Sequence, residues 1–443
     1  MSWNAWALAV EALSWMELRG MSERMALAHT SRQMGITDAE DIAKAHEMIL
    51  ETTRRRNLID KIIVEALPQR SFKGLLPGLK AFLRLFTYET KFKGASLEEA
   101  VAFARIGREL LGWIRMEPVE EALGRILSME VDDVLEGQDD ISRLALSTYH
   151  PTWFVRYCIR LLGRHEAVKL LEWNCMEPPT YIRLNTLKGP EKQLLKELRR
   201  EGVELAETEL QSVYEVLSST KPLVRLRAFR RGLFYIQDKA SCLAALVANP
   251  KPGQTVLDVC SAPGAKTTHL AQLMENRGKI LSIDYSPRRV AVWLRETKRM
   301  GVDIAYPVVA DACHPLPTRL EADIVLLDPP CTSTGAFAKV PSAKWRLTQR
   351  SIQGMAKLQW MMLNASASHV KSGGTLVYTT CSITLEENEM LVERFLKLRP
   401  EFSLEDAEPR VGAPGLRGLE GCLRIYPHIH RCNGYFVAKL RRE

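Results

Sequence analysis

The nine cysteines stand at 158, 175, 242, 260, 313, 331, 381, 422 and 432, and no two form a Cys-x-x-Cys pair. An odd number without metal spacing argues against a disulfide framework and a cysteine-based zinc site, and for reduced thiols in a reducing compartment. Long uncharged apolar runs are lacking too. None approaches the roughly 18 residues that a membrane span requires. The opening MSWNAWALAVEALSWMELRG is apolar, but Glu11 and Glu17 interrupt it and no basic leader stands before it. It reads as an amphipathic helix rather than a signal peptide. Repeats and low-complexity segments are missing, and a composition of 46% hydrophobic and 26% charged residues excludes disorder or a coiled coil over most of the chain. A cytoplasmic protein with no membrane partner is expected.

Two nucleotide-loop signatures are also absent. The Lys266-Thr267 pair would end an ATP-binding phosphate loop only if glycine stood at Cys260 and Ala265. The dinucleotide pattern Gly-x-Gly-x-x-Gly does not occur.

At 443 residues the chain is too long for one ordinary core, so two or three domains are expected. A formal charge of +8 favours polyanionic partners. Residues 1–144 read as helical. Ser96 and Glu99 make a capping box, with Leu97, Val101, Ala104 and Leu111 recurring at helical spacing. The cluster Arg54, Arg55 and Arg56 reads as a solvated helix face. Residues 145–235 are mixed α+β: PTYIRLNTLK (179–188) suits a strand entering a loop, and PEKQLLKELRREG (190–202) a helix closed by Gly202. RLRAFRRGLFY (225–235) interleaves four arginines with Phe229, Phe234 and Tyr235. That mixture suits phosphate contacts with base stacking, or equally an edge strand with exposed arginines.

Residues 236–443 alternate apolar runs with helical patterns: TVLDV (255–259), KILSID (279–284), ADIVLLD (322–328) and TLVYTT (375–380). This alternation predicts an α/β fold with a parallel sheet covered on both faces. LRIYP (423–427) and GYFVAKL (434–440) would add a terminal hairpin. The first strand runs into CSAPGAKT (260–267), where Gly264 permits close backbone approach and the turn's amides suit a carboxylate. Asp258, Asp284, Asp311 and Asp328 fall at successive strand carboxyl ends, facing the crevice where open parallel sheets bind ligands. Asp284 lies where such folds hold a ribose, and Asp311 is placed to accept from an adenine amino group. Cys331, in Asp-Pro-Pro-Cys (328–331), and Cys381, in Thr-Thr-Cys-Ser (379–382), follow apolar strands at the same edge. Two thiols there are candidate nucleophile and acid/base groups rather than buried fillers.

The stretches YIRLNTLK (181–188), IQDKAS (236–241), DVCSAPGAKT (258–267), DYSPRR (284–289), ADA (310–312), LLDPPCTSTG (326–335), KWRL (344–347), VYTTCSITLEENE (377–389) and PHIHRCNGYFVAKL (427–440) together resemble the Sun/RsmB/NSUN family of RNA cytosine-5 methyltransferases. The resemblance covers about two-thirds of the chain. It implies a class I, Rossmann-like catalytic domain of seven strands that uses S-adenosyl-L-methionine. It implies Cys381 as the nucleophile that adds to carbon 6 of cytosine, Cys331 as the residue assisting proton removal and release, and Asp328 as the group holding the base. Cys260, Ser261, Ala262, Pro263, Gly264, Ala265 and Lys266 would contact the methionine part, Asp284 the ribose, Asp311 the adenine, with Arg289 and Asp328 also at the cofactor site. The N-terminal third resembles the NusB-like RNA-binding extension of the RsmB branch. The expected substrate is ribosomal RNA, with transfer RNA next, and the expected state is a monomer.

Three positions depart from the family pattern. Ala265 replaces a usual glycine, Pro329 stands where alanine is common, and Asn433 lies where aspartate is frequent. His428 and His430 belong to the tail motif and have no carboxylate or cysteine to complete a metal site, so no metal is expected. Two rival readings remain. DNA-type cytosine methyltransferases would make Cys331 the attacker. An RNA-binding assembly factor would keep the fold without the chemistry.

Overall fold

The computed structural model describes residues 2–67, 72–314, 316 and 318–443. Two compact units divide the chain: Met1–Glu177 with Phe337–Arg346, and Pro178–Ala336 with Leu347–Glu443. This division differs from boundaries at 144 and 235. The helices Thr152–Leu162 and Arg164–Trp173 group with the N-terminal ones, and a ten-residue segment from late in the chain joins them.

The first unit is helical among its described residues. Its opening helix, Trp3–Arg19, is not amphipathic: Ala5 through Val10 are all buried, because Glu23–Met34, Ala39–Arg54 and Pro77–Lys91 pack around it. The capping box of Ser96 and Glu99 starts the helix Leu97–Leu111, as the sequence predicts. Its buried side is Ala100, Phe103 and Gly107, however, while Leu97 and Val101 are exposed. The arginine cluster is also corrected. Arg54 is buried and donates to the carbonyls of Asn174 (3.2 Å) and Met176 (3.0 Å). Arg55 lies against the rings of Tyr88, Phe92 and Tyr149, and Arg56 pairs with Glu17 and Asp60. Carbonyls, carboxylates and ring faces here replace the water a solvated face would have had.

Phe337–Arg346 is held by the same unit. Ser342 donates its amide and hydroxyl to the Glu23 carboxylate at 2.6 and 2.8 Å. The fully buried Lys344 donates to the carbonyls of Tyr149 (2.7 Å) and Arg54 (3.2 Å), and burial pushes its ammonium down to about 7.

The second unit contains two sheets. The smaller is antiparallel, built from β1 (Thr180–Leu184), β2 (Val203–Glu207), β3 (Val213–Ser219) and β4 (Phe234–Ile236) in the order β2-β3-β1-β4, with the predicted helix at Glu191–Arg200. The segment 225–235 is neither a full edge strand nor a stacking platform. It forms a short helix, Arg227–Arg230, before β4. Phe234 and Tyr235 are buried and Phe229 packs on Phe234 (centroids 5.6 Å apart), so the aromatics serve the core and only the arginines face out.

The larger sheet joins β5 (Thr255–Val259), β6 (Lys279–Asp284), β7 (Ala305–Val309), β8 (Ala322–Leu327), β9 (Val370–Thr380), β10 (Phe402–Glu405), β11 (Ala413–Pro414), β12 (Leu423–Ile425) and β13 (Tyr435–Arg442). Its order is β11-β12-β13-β9-β8-β5-β6-β7, with β10 on β13. β5 to β9 are parallel, and β13 runs against β9 and pairs antiparallel with β12, the expected terminal pairing. Two short strands, β10 and β11, extend the seven that were expected. Val256, Leu257, Val325, Leu326, Leu376 and Val377 are all fully buried, which explains why these strands read as unbroken apolar runs rather than alternating ones. This is a Rossmann-like sheet, and its parallel strands bring five loops to one carboxyl edge.

Candidate active site

The loop after β5 owes its shape to its neighbours. The Ser261 amide donates to the Ile283 carbonyl (2.9 Å), and the Ala262 amide to Asp284 Oδ2 (3.2 Å). Arg289 closes the arrangement: it donates to the Ala262 carbonyl and sits 3.4 Å from the Asp284 carboxylate. Cys260 has φ +64° and burial pushes its thiol up, so it shapes the turn rather than supplying a thiolate. Pro263 is exposed; Gly264 takes φ +109°, and a Cβ there would lie 3.3 Å from the Trp293 ring. The helix Ala265–Leu273 starts here without a side-chain cap. Its first amides therefore remain available to an anionic ligand.

The four strand-end acids do not act alike. Asp284 is nearly buried against the loop it holds. Asp258 is fully buried, accepts the Thr267 hydroxyl at 2.5 Å, and burial pushes its carboxyl up to about 7. It supports the loop and does not face the crevice, which corrects the sequence expectation. Asp311 is exposed, and the Cys313 amide (2.9 Å) holds its carboxyl below the usual range. Asp328 accepts from Lys266 Nζ (2.6 Å) and the Thr379 hydroxyl (3.1 Å), with the Tyr435 hydroxyl 3.3 Å away. The charge of Asp328 raises the Lys266 ammonium against the effect of burial. Lys266 thus belongs with the reactive groups as well as with the loop.

The two cysteine loops converge. Cys331 and Cys381 Sγ lie 3.0 Å apart, and Ser333 Oγ lies 3.5 Å from Cys381. Hydrogen bonds from Cys331 and Ser333, with help from the Lys266 cation, hold the Cys381 thiol below its ordinary range. The same Cys331–Cys381 bond, with burial, pushes Cys331 well up. Of the two thiols, Cys381 is therefore the more readily ionised, and Cys331 is placed to donate to it.

Sequence reasoning assigned no role to the residue that fixes this pair. Glu387 is fully buried and accepts from the Thr332 amide (2.9 Å) and hydroxyl, the Ser382 hydroxyl (2.6 Å), the Thr384 hydroxyl (2.8 Å) and Gln359 Nε2 (2.9 Å). One carboxylate therefore ties the residue after Cys331 to the residue after Cys381. Its signal was the run LEENE, whose acids all read alike. Arg183 was missed for the same reason. Fully buried on β1, it donates to Gln237 Oε1 (3.0 Å), Gln272 and Thr268 Oγ1 (2.8 Å), bracing the helix that starts at Ala265.

A family model described as 16S rRNA methyltransferase RsmB/F matches residues 245–441, and one for the ferredoxin-like domain of RsmF/B-like methyltransferases matches residues 150–215. The chain is 31% identical over 310 residues to the ribosomal RNA small subunit methyltransferase B of Sodalis glossinidius, covering 69% of this chain and 68% of that protein. The chain belongs to the RsmB/F family. Another family member, the probable ribosomal RNA small subunit methyltransferase B of Bacillus subtilis, is 28% identical across 98% of both chains. The solved structure of PH0851 superposes with a TM-score of 0.84 at 31% identity, covering 100% of this chain and 99% of that one. That of NSun6 from Pyrococcus horikoshii with SFG, an analogue of S-adenosylmethionine, gives 0.61 at 28% identity over 66% of this chain and 98% of that one. RsmB/F methyltransferases use S-adenosylmethionine, and the uncapped first turn at Ala265, the close approach at Gly264 and the carboxylate of Asp284 form a donor and acceptor set that fits it.

Proposed function

We propose that the protein methylates carbon 5 of a cytosine in ribosomal RNA, with Cys381 as nucleophile and Cys331 as its proton partner. The activity class, RNA cytosine-5 methylation, is that of the family; the residue roles rest on the cysteine pair. Residues 260–266 would bind the methionine part, Asp284 with Arg289 the ribose side, and Asp311 the adenine. Bound S-adenosylmethionine supplies an electrophilic methyl group.

Cys381 thiolate adds to carbon 6, and the displaced π pair makes carbon 5 nucleophilic toward the methyl. Asp328, held by Lys266 and Thr379, accepts from the exocyclic amine, and the Lys266 ammonium beside it steadies the negative charge that addition develops. Cys331, which no longer has a thiolate to serve, gives its proton to solvent. It then accepts the carbon 5 proton; that bonding pair re-forms the double bond, the carbon–sulfur bond breaks, and Cys381 leaves as thiolate. The Cys331 thiol and the Cys381 sulfur are free again, and one proton has been released per methyl transferred.

The observation that carries this reading is the 3.0 Å pair with its opposed pKa directions, which also favours Cys381 over Cys331 as attacker. Cys331→Ala incubated with RNA and S-adenosylmethionine should accumulate a covalent protein–RNA species on a denaturing gel, and adding Cys381→Ala should abolish it. A band that survives loss of Cys381 would reverse the roles. Cofactor binding without RNA methylation or adduct would favour an assembly factor instead.

The same reading assigns residues 1–144 to a NusB-like RNA-binding domain, 145–235 to a small mixed domain and 236–443 to catalysis, in a cytoplasmic monomer. No helix among the described residues is long and apolar enough to cross a membrane.

A further inference from the structure

Five cations line one open cavity of about 600 Å³ in the second unit: Arg200, Lys221, Arg225, Arg227 and Arg230. They come from three places, namely the end of the helix Glu191–Arg200, the turn after β3, and the segment before β4. The carboxylate that lines the cavity with them, Glu201, is already engaged: it accepts the amides of Arg227 (2.7 Å) and Ala228 (2.8 Å). It orders the arginine-bearing turn instead of neutralising it. All five cationic side chains are exposed, and none has a carboxylate partner among the described residues.

The turn is rigidly attached. Arg299 Nη1 donates to the carbonyls of Phe229 (2.7 Å) and Phe234 (3.2 Å), and Asn185 Nδ2 to those of Gly232 (2.8 Å) and Met300 (2.7 Å). Gly232 passes so close to that helix that a Cβ would lie 2.0 Å from the Arg299 carbonyl. The helix is Pro287–Met300, whose first turn carries Arg289 of the cofactor loop. The cavity is therefore held in fixed register with the catalytic sheet.

We propose that this cavity grips the phosphodiester backbone of the substrate RNA and sets where the target cytosine falls. The proposal rests on the RNA reading above and adds a surface to it. Exposed cations around an open cavity suit an extended polyanion, because each neutralised phosphate releases counterions. A small anion would instead be held by convergent buried donors, and the lining has none. Phe234 and Tyr235 point into the core, so the contact is with backbone rather than bases and carries little sequence preference.

The test uses the full chain, a small-subunit rRNA transcript, and the variants R225A/R227A/R230A and, on other elements, R200E/K221E. Each should weaken RNA binding about 10- to 100-fold at physiological salt and flatten the slope of log affinity against log salt by about 2–3. The methylation defect should fall on KM for RNA, with cofactor affinity intact, and R225K/R227K/R230K should largely restore the slope. Wild-type affinity and slope in cofactor-binding alanine and glutamate variants would overturn the proposal while leaving the methyltransferase reading intact. Tight competition by inorganic phosphate or cytidine monophosphate would overturn it in favour of a small-anion site. Failure of the wild-type protein to bind the transcript would overturn both readings.

Discussion

At the residue scale, the spacing of the two cysteines depends on one buried carboxylate, Glu387. Glu387 is surrounded by donors, and glutamine in its place would aim an amide N–H₂ at a hydroxyl or amide that can only donate or must rotate away. Leaving a buried group so mismatched costs about 1–3 kcal/mol, and the cost falls on the two loops that set the 3.0 Å sulfur spacing. Glu387→Gln is expected to lower kcat about 10- to 100-fold, the penalty of displacing reacting groups by a fraction of an ångström, with S-adenosylmethionine affinity unchanged by calorimetry. A parallel loss of cofactor affinity would mean that Glu387 holds the whole edge rather than the cysteines.

Among elements, the decisive contact is backbone on backbone. The Gly335 amide donates to the Cys381 carbonyl at 3.0 Å, and the Gly434 amide to the Gly335 carbonyl at 2.8 Å. These bonds link the Cys331 loop, the Cys381 loop and the start of β13. A Cβ on Gly335 would lie 2.3 Å from the Gly434 carbonyl oxygen, and backbone cannot swing aside as a side chain does. Gly335→Ala should therefore cost about 2–4 kcal/mol in denaturant unfolding and reduce the covalent adduct formed in the Cys331→Ala background. An unchanged adduct yield would show that the loops keep their spacing without this contact.

The whole chain is threaded in an order that its sequence domains do not display. Phe337–Arg346 lies between two catalytic motifs in sequence yet packs with the N-terminal helices, where Phe337 is fully buried 5.1 Å from the Phe154 ring and Lys344 finds its two carbonyls. A fragment comprising residues 178–443 would lose those partners, exposing Phe337 and Trp345 to water. It is expected to bind a hydrophobic dye and aggregate where the intact chain does not. A soluble, dye-silent fragment would show that the segment can repack by itself.

The sequence alone determined the parallel sheet, its strand positions, the loop after β5 and both cysteines. These follow from local causes: strands buried on both faces must be continuously apolar, and a tight turn at a strand end must use small residues. Which members of a repeated residue type matter was decided by the tertiary structure. Four aspartates end strands, but only the fold turns Asp258 inward and gives Asp328 to Lys266. Three adjacent arginines near residue 55 look solvated, and only packing brings carbonyls, carboxylates and rings to cover them. The arginines before β4 look like a nucleic-acid platform with aromatics, and only the tertiary structure separates the two, sending Phe234 into the core and joining Arg225 and Arg227 to Arg200 and Lys221. Burial and pairing depend on residues far apart in the chain, whose juxtaposition no local pattern encodes.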